Sequence, residues 1–150
     1  MLLRVTTDRS ERQIEATVQF LNVDVDIFGA FDRAPLLKGF GDAIYVLHDG
    51  EREPREPVIS FELSTDIPTL PGVISDLVAL VRALPDDALA AWNLATRRVF
   101  SIGIQAGLDP HSTEWTLSAD MMAALVAIRA DVTLTVYGAD VGARSGSNAT

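Results

Sequence analysis

The chain has no cysteine among its 150 residues, and that absence removes disulfides, thiolate zinc sites and cysteine nucleophiles together. Histidine is nearly as scarce: His48 and His111 are the only two, so imidazole chemistry has few places to occur. Basic residues are outnumbered by acidic ones, 12 against 21, which leaves a net charge of −9 and a pI near 4.5. Such a surface repels phosphate backbones and anionic lipid, so neither nucleic acid nor a membrane is an expected partner, whereas a basic protein is attracted. Long apolar runs are missing too. The longest, residues 121–128, falls far short of the roughly 18 residues a membrane span needs. The first residues lack the charged, apolar and small-residue layout of an export signal, and the expected compartment is the cytoplasm. No Gly-rich phosphate loop, Gly-x-Ser-x-Gly elbow or dinucleotide fingerprint occurs, and no cofactor is expected.

What is present is a globular composition, 48% hydrophobic and 22% charged, in a length that buries roughly 70% of the surface of the unfolded chain. Period-2 alternation marks strands. Leu21, Val23, Val25 and Ile27 alternate with Asn22, Asp24 and Asp26. Ile59, Phe61 and Leu63 alternate with Ser60 and Glu62, and Phe100, Ile102 and Ile104 with Ser101, Gly103 and Gln105. Further strands are expected over residues 43–48, 113–117 and 132–137, with Asp49-Gly50 ending the first of these and residues 51–57 forming an exposed, charged loop of a long hairpin. Helical spacing appears in Ile74, Leu77, Val78, Val81 and Leu84, behind a Thr69-Leu70-Pro71 opening suited to a first turn. A short helix follows Asp32, another follows Asp86-Asp87 and ends near Arg97-Arg98, and a last one is capped by Ser118.

The expected fold is α+β: a single two-layer domain over residues 1–137, with a mixed or antiparallel sheet of about six strands and helices packed on one face. Residues 1–17 form an edge strand or a mobile arm, and 138–150 a flexible tail. One core is expected from Phe61, Leu77, Val81, Trp92, Ile102, Ile104, Leu125 and Val136.

The run Arg98-Val99-Phe100-Ser101-Ile102-Gly103-Ile104-Gln105-Ala106-Gly107-Leu108-Asp109-Pro110-His111 is followed by Trp115-Thr116-Leu117-Ser118 and a closing Leu134-Thr135-Val136-Tyr137. Over residues 97–138 this resembles the bacterial family designated domain of unknown function forty-two seventy-nine. The resemblance implies a similar compact α/β fold and carries no reaction with it.

Six residues are candidates for a binding site. Asp24 and Asp26 project from the same strand face about 7 Å apart, and Glu62 joins them if its strand is adjacent. Together they suit paired acid/base work, oxygen ligation of a cation, or plain solvation of the polar face of a one-sided sheet. Asp109, His111 and Glu114 gather carboxylates and imidazole in one loop, although their spacing matches no metal motif, and no metal site is expected. His48 falls in step with Ile44 and Val46, at the end of a core-facing row. Arg97-Arg98 suit either an anion or the C-terminal end of a helix. The leading expectation is a non-enzymatic binding module that uses its acidic sheet face. In its more specific form this is an immunity-type protein that neutralises a basic toxin. The alternative is a small hydrolase or metal-dependent enzyme using Asp24, Asp26, His111 or Asp109.

Overall fold

Apolar alternation in three neighbouring strands and amphipathic spacing in the helices produce two layers around one core. The computed structural model describes residues 17–139. The expected N-terminal arm and C-terminal tail lie, apart from their inner ends, outside the described residues. The elements in chain order are β1 (Gln19–Phe28), α1 (Ala34–Phe40), a 3-10 turn (Gly41–Ala43), β2 (Ile44–Arg52), β3 (Glu56–Leu63), α2 (Leu70–Arg82), α3 (Asp86–Leu94), β4 (Arg97–Gln105), α4 (Ala119–Ala127) and β5 (Asp131–Tyr137). The sheet order is β2-β3-β1-β4-β5. Every neighbouring pair is antiparallel except β4 and β5, which run parallel across the α4 crossover. The class is therefore α+β with a mixed sheet of five strands.

The sixth expected strand does not form. Residues 113–117 belong to no strand or helix, although Trp115 and Leu117 still pack against the core. The reason is topological: β4 already has β1 on one side and β5 on the other, so the segment that leaves it cannot pair back onto it. The hairpin differs as well. Instead of ending at Asp49-Gly50, β2 runs on to Arg52, and the pairing continues through Glu51 with Pro57 and Arg52 with Glu56. The expected loop over 51–57 contracts to three residues.

Two bulges interrupt the alternation. In β1 the register steps from Phe20–Ile104 to Asn22–Gly103, so Leu21 is the extra residue and stands exposed instead of joining Val23 and Val25 inside. In β2 the step runs from Val46–Phe61 to His48–Ser60, leaving Leu47 as the extra residue. His48 consequently turns to the opposite face from Val46, which corrects its expected place in the core-facing row.

The core joins Val23, Val25 and Ile27 of β1 with Ile59 and Phe61 of β3 and Phe100, Ile102 and Ile104 of β4, all covered by helices. Helix α2 begins at Thr69, whose hydroxyl accepts the Gly72 N–H at 3.2 Å, and buries the expected stripe of Ile74, Leu77, Val78 and Val81. Trp92 of α3 is the largest buried side chain; its indole N–H donates to the Ile128 carbonyl at 3.0 Å, tying α3 to the end of α4. Phe40 meets Phe61 at 5.0 Å between ring centroids and Trp92 edge-on at 6.4 Å. Helices α1 and α3 touch so closely at Gly39 that a Cβ there would stand 2.7 Å from that of Ala88.

Arg98 is buried and serves the helix end. It donates to the carbonyls of Trp92, Asn93 and Ala95 at 2.7–3.0 Å, supplying partners for groups that a helix C-terminus leaves open. Val136, expected inside, is 59% exposed, because among the described residues no helix covers β5. Among the described residues no helix is long and apolar enough to cross a membrane.

Candidate functional site: the acidic face of the sheet

The face opposite the helices gathers polar residues from three strands. Antiparallel register sets Asp26 opposite Ser60 of β3 and Val99 of β4, and Asp24 opposite Ser101. One step beyond the Val25–Phe61 pair, the same register brings Asp24 beside Glu62. Thr133 and Thr135 of β5 pair with Ser101 and Gly103, extending the polar row toward the sheet edge. Asn22, Asp24, Asp26 and Glu62 are thus assembled, as their alternation suggests.

Within this face the two aspartates have different roles. Asp26 is buried and fully engaged. The Ser60 hydroxyl donates to one carboxylate oxygen in a short hydrogen bond, while the Arg52 guanidinium lies 3.1 Å from the other. Arg52 also donates to the Ser60 oxygen at 2.7 Å, and the Ser101 hydroxyl approaches Asp26 at 3.5 Å. This closed network neutralises Asp26 and leaves it little to offer a ligand. Arg52 was hidden from a reading of the sequence because it stands among turn-forming charges; only the extension of β2 carries it over the sheet.

Asp24 and Glu62 form the open half. The Asn22 amide nitrogen donates to Asp24 at 2.9 Å and to Glu62 at 3.2 Å, bridging the two carboxylates without adding charge. Asn22 can lie there because Gly103 faces it: a Cβ on Gly103 would come within 3.1 Å of the Asn22 side-chain oxygen. Burial raises the Asp24 carboxyl above its ordinary value, and the neighbouring charges of Glu62 and Asp26 push it the same way, against a smaller pull from Arg52. Beside this pair a notch of about 250 Å³ opens between β1, the end of β3 and the following loop, with Asn22, Glu62 and Asp66 among its walls.

The loop residues do not join this cluster. Asp109, His111 and Glu114 are exposed, and no side-chain hydrogen bond or ion pair links them to one another among the described residues. The Asp109 carbonyl accepts the Val18 N–H at 3.0 Å, and Val18 precedes Asp24 by roughly 20 Å of strand. His48 faces the polar side next to Gly50, exposed, at the edge strand. Arg97 lies over the Phe28 ring at 4.1 Å and reaches Glu56 at 3.4 Å. Among the described residues no group of three or more His, Cys, Asp or Glu side chains converges as metal ligands.

No family model, no curated protein and no solved structure matches this chain.

Proposed function

We propose that this protein is a recognition domain that holds a basic segment of a partner protein on its acidic sheet face. The observation that carries this reading is the contrast between two carboxylate sites on one surface. Asp26 already has its cation in Arg52, whereas Asp24 and Glu62 are held together by a neutral amide and have no ion-pair partner among the described residues. A guanidinium or ammonium group from outside would donate hydrogen bonds to both carboxylates and relieve the repulsion between them. The adjoining notch has the size to take one long basic side chain and the acids to receive it. The net charge of −9 would draw a basic protein in before contact. An immunity-type role, in which the partner is a basic toxin, is the more specific form of the same proposal. The resemblance to the family of unknown function lends it no reaction to set against this reading.

Turnover is the weaker reading, because it would draw on Asp109 or His111 together with Asp24 and Asp26, and Asp109 is anchored at the far end of β1.

The test is capture of binding proteins from the native cell extract at low and at high salt, using the parent and an Asp24→Asn/Glu62→Gln double variant. Asp26 is left intact, since its removal would strand Arg52 and Ser60. The expected result is a basic partner retained at low salt, weakened as screening rises, and reduced at least tenfold by the double variant. A partner that ignores both salt and the substitutions would overturn the acidic-face reading and direct attention to the loop at Asp109–His111.

A further inference from the structure

Among the described residues strand β5 is one edge of the sheet, and it differs from the other edge. β2 carries the features that keep edges from pairing: a bulge at Leu47 and the charges of Asp49, Glu51 and Arg52. Between Val132 and Val136, β5 has no charge, no proline and no bulge. Val132, Leu134 and Val136 are aligned with the core residues Phe100, Ile102 and Ile104 of β4, yet they stand 42, 59 and 59% exposed. Met121 and Ala124 of α4 line a cleft shared with α2, while Met122 and Val126 of the same helix stand exposed.

Two further observations say what fits there. The Tyr137 carbonyl accepts the Ala106 N–H, so the odd-numbered residues of β5 aim their backbone groups at β4. The N–H and C=O groups of Val132, Leu134 and Val136 then point to the open edge. The sequence Val132-Thr133-Leu134-Thr135-Val136 also reads identically in both directions.

We propose that a second copy of this chain occupies this edge, with β5 antiparallel to β5 about a two-fold axis at Leu134, joining the two sheets into one. In this register Leu134 faces the partner's Leu134 and Val132 faces the partner's Val136. These are the residues whose backbone groups point outward, so each facing pair exchanges two hydrogen bonds. Thr133 meets the partner's Thr135, a favourable cross-strand pair. Self-complementarity of this kind is what an isologous interface requires. Two copies of a chain at −9 repel one another, and an uncharged strip is where that repulsion is least. The antiparallel register also sets the two Asp131 carboxylates about 20 Å apart, beyond the screening length at physiological salt.

The experiment is analytical ultracentrifugation across a concentration series, combined with hydrogen exchange at single-amide resolution. A reversible shift from 16.2 kDa to twice that mass is expected, with the Val132, Leu134 and Val136 amides becoming protected as the dimer forms. Leu134→Lys, and independently Val136→Lys, should weaken association at least tenfold while leaving the thermal melt close to that of the parent, because both side chains are exposed. Leu47→Lys on the opposite edge should leave association unchanged. A monomer at every concentration, or a dimer indifferent to both β5 variants, overturns the proposal. So does protection of the three amides in the monomer, which would assign the edge to another segment of the same chain.

Discussion

Asp24 and Asp26 are chemically identical and two positions apart, yet one stabilises the fold and the other opposes it. Asp26 is buried against Arg52 and Ser60, so its charge is compensated where it sits. Asp24 is half-buried beside Glu62 and Asp26, and its carboxyl is raised above the ordinary 3.8, chiefly by burial. The folded protein therefore holds the Asp24 proton more tightly than the unfolded chain does. The stabilisation this brings is complete below the ordinary value and is lost as pH rises through the higher folded one, so at neutral pH the ionised group weighs against folding. Asp24→Asn is expected to raise the melting temperature at pH 7, by an amount worth less than about 1 kcal/mol once solvent screening is counted. The gain should shrink as pH falls toward 3.8. Thermal melts of parent and variant at several pH values check this, and a lower melting temperature for the variant at pH 7 would count against it. A residue that costs stability and faces solvent beside a second acid is what the proposed recognition of a basic partner would require.

At the scale of elements, the helix layer is built on close approaches that tolerate little added volume. Gly39 lies where α1 meets α3, and a methyl group there would come 2.7 Å from the Ala88 Cβ and 3.0 Å from a Leu84 methyl. Ala88 is fully buried and cannot move aside without shifting α3. Gly39→Ala has the better helix propensity of the two residues and should nonetheless destabilise, by about 1–3 kcal/mol, since overpacking outweighs propensity in a filled interior. Chemical denaturation measures this directly, and a stabilised variant would mean that the two helices separate more easily than their packing indicates. The strands obey a similar constraint. The bulges at Leu21 and Leu47 cost ladder pairing locally, but each lets one strand serve two faces.

For the whole molecule, one cluster of buried side chains runs from β1, β3 and β4 through all four helices, with no second core among the described residues. A single cooperative unfolding transition is expected. The two tryptophans allow a test: Trp92 lies at the centre of the cluster, and Trp115 packs at its margin in the segment before α4. Fluorescence of single-tryptophan variants and far-UV circular dichroism should give the same denaturation midpoint. Separate midpoints would show that the segment around Trp115 opens on its own. The acidic face and the β5 edge lie on different parts of this body, so binding a basic partner and self-association are independently testable.

Much of this architecture was legible in the amino-acid order, because local chemistry decides it. Alternation in β1, β3 and β4 identified the strands and the membership of the polar face, and the stripe from Ile74 to Val81 identified the helix that covers them. Thr69 and Ser118 marked helix starts that the structure confirms through their hydrogen bonds to Gly72 and Met121. Neighbour relations were not legible. Alternation says which side of its own strand a residue takes, not which strand lies beside it, whether a bulge reverses the side, or whether a helix covers it. Hence His48 changed faces, residues 113–117 found no ladder, and Val136 with its flanking apolar residues remained in solvent. The division between Asp26 and Asp24 came from the same source. Arg52 reaches one carboxylate and not the other only because β2 and β3 pair beyond the expected turn, and a contact across that distance in sequence is decided by tertiary packing alone.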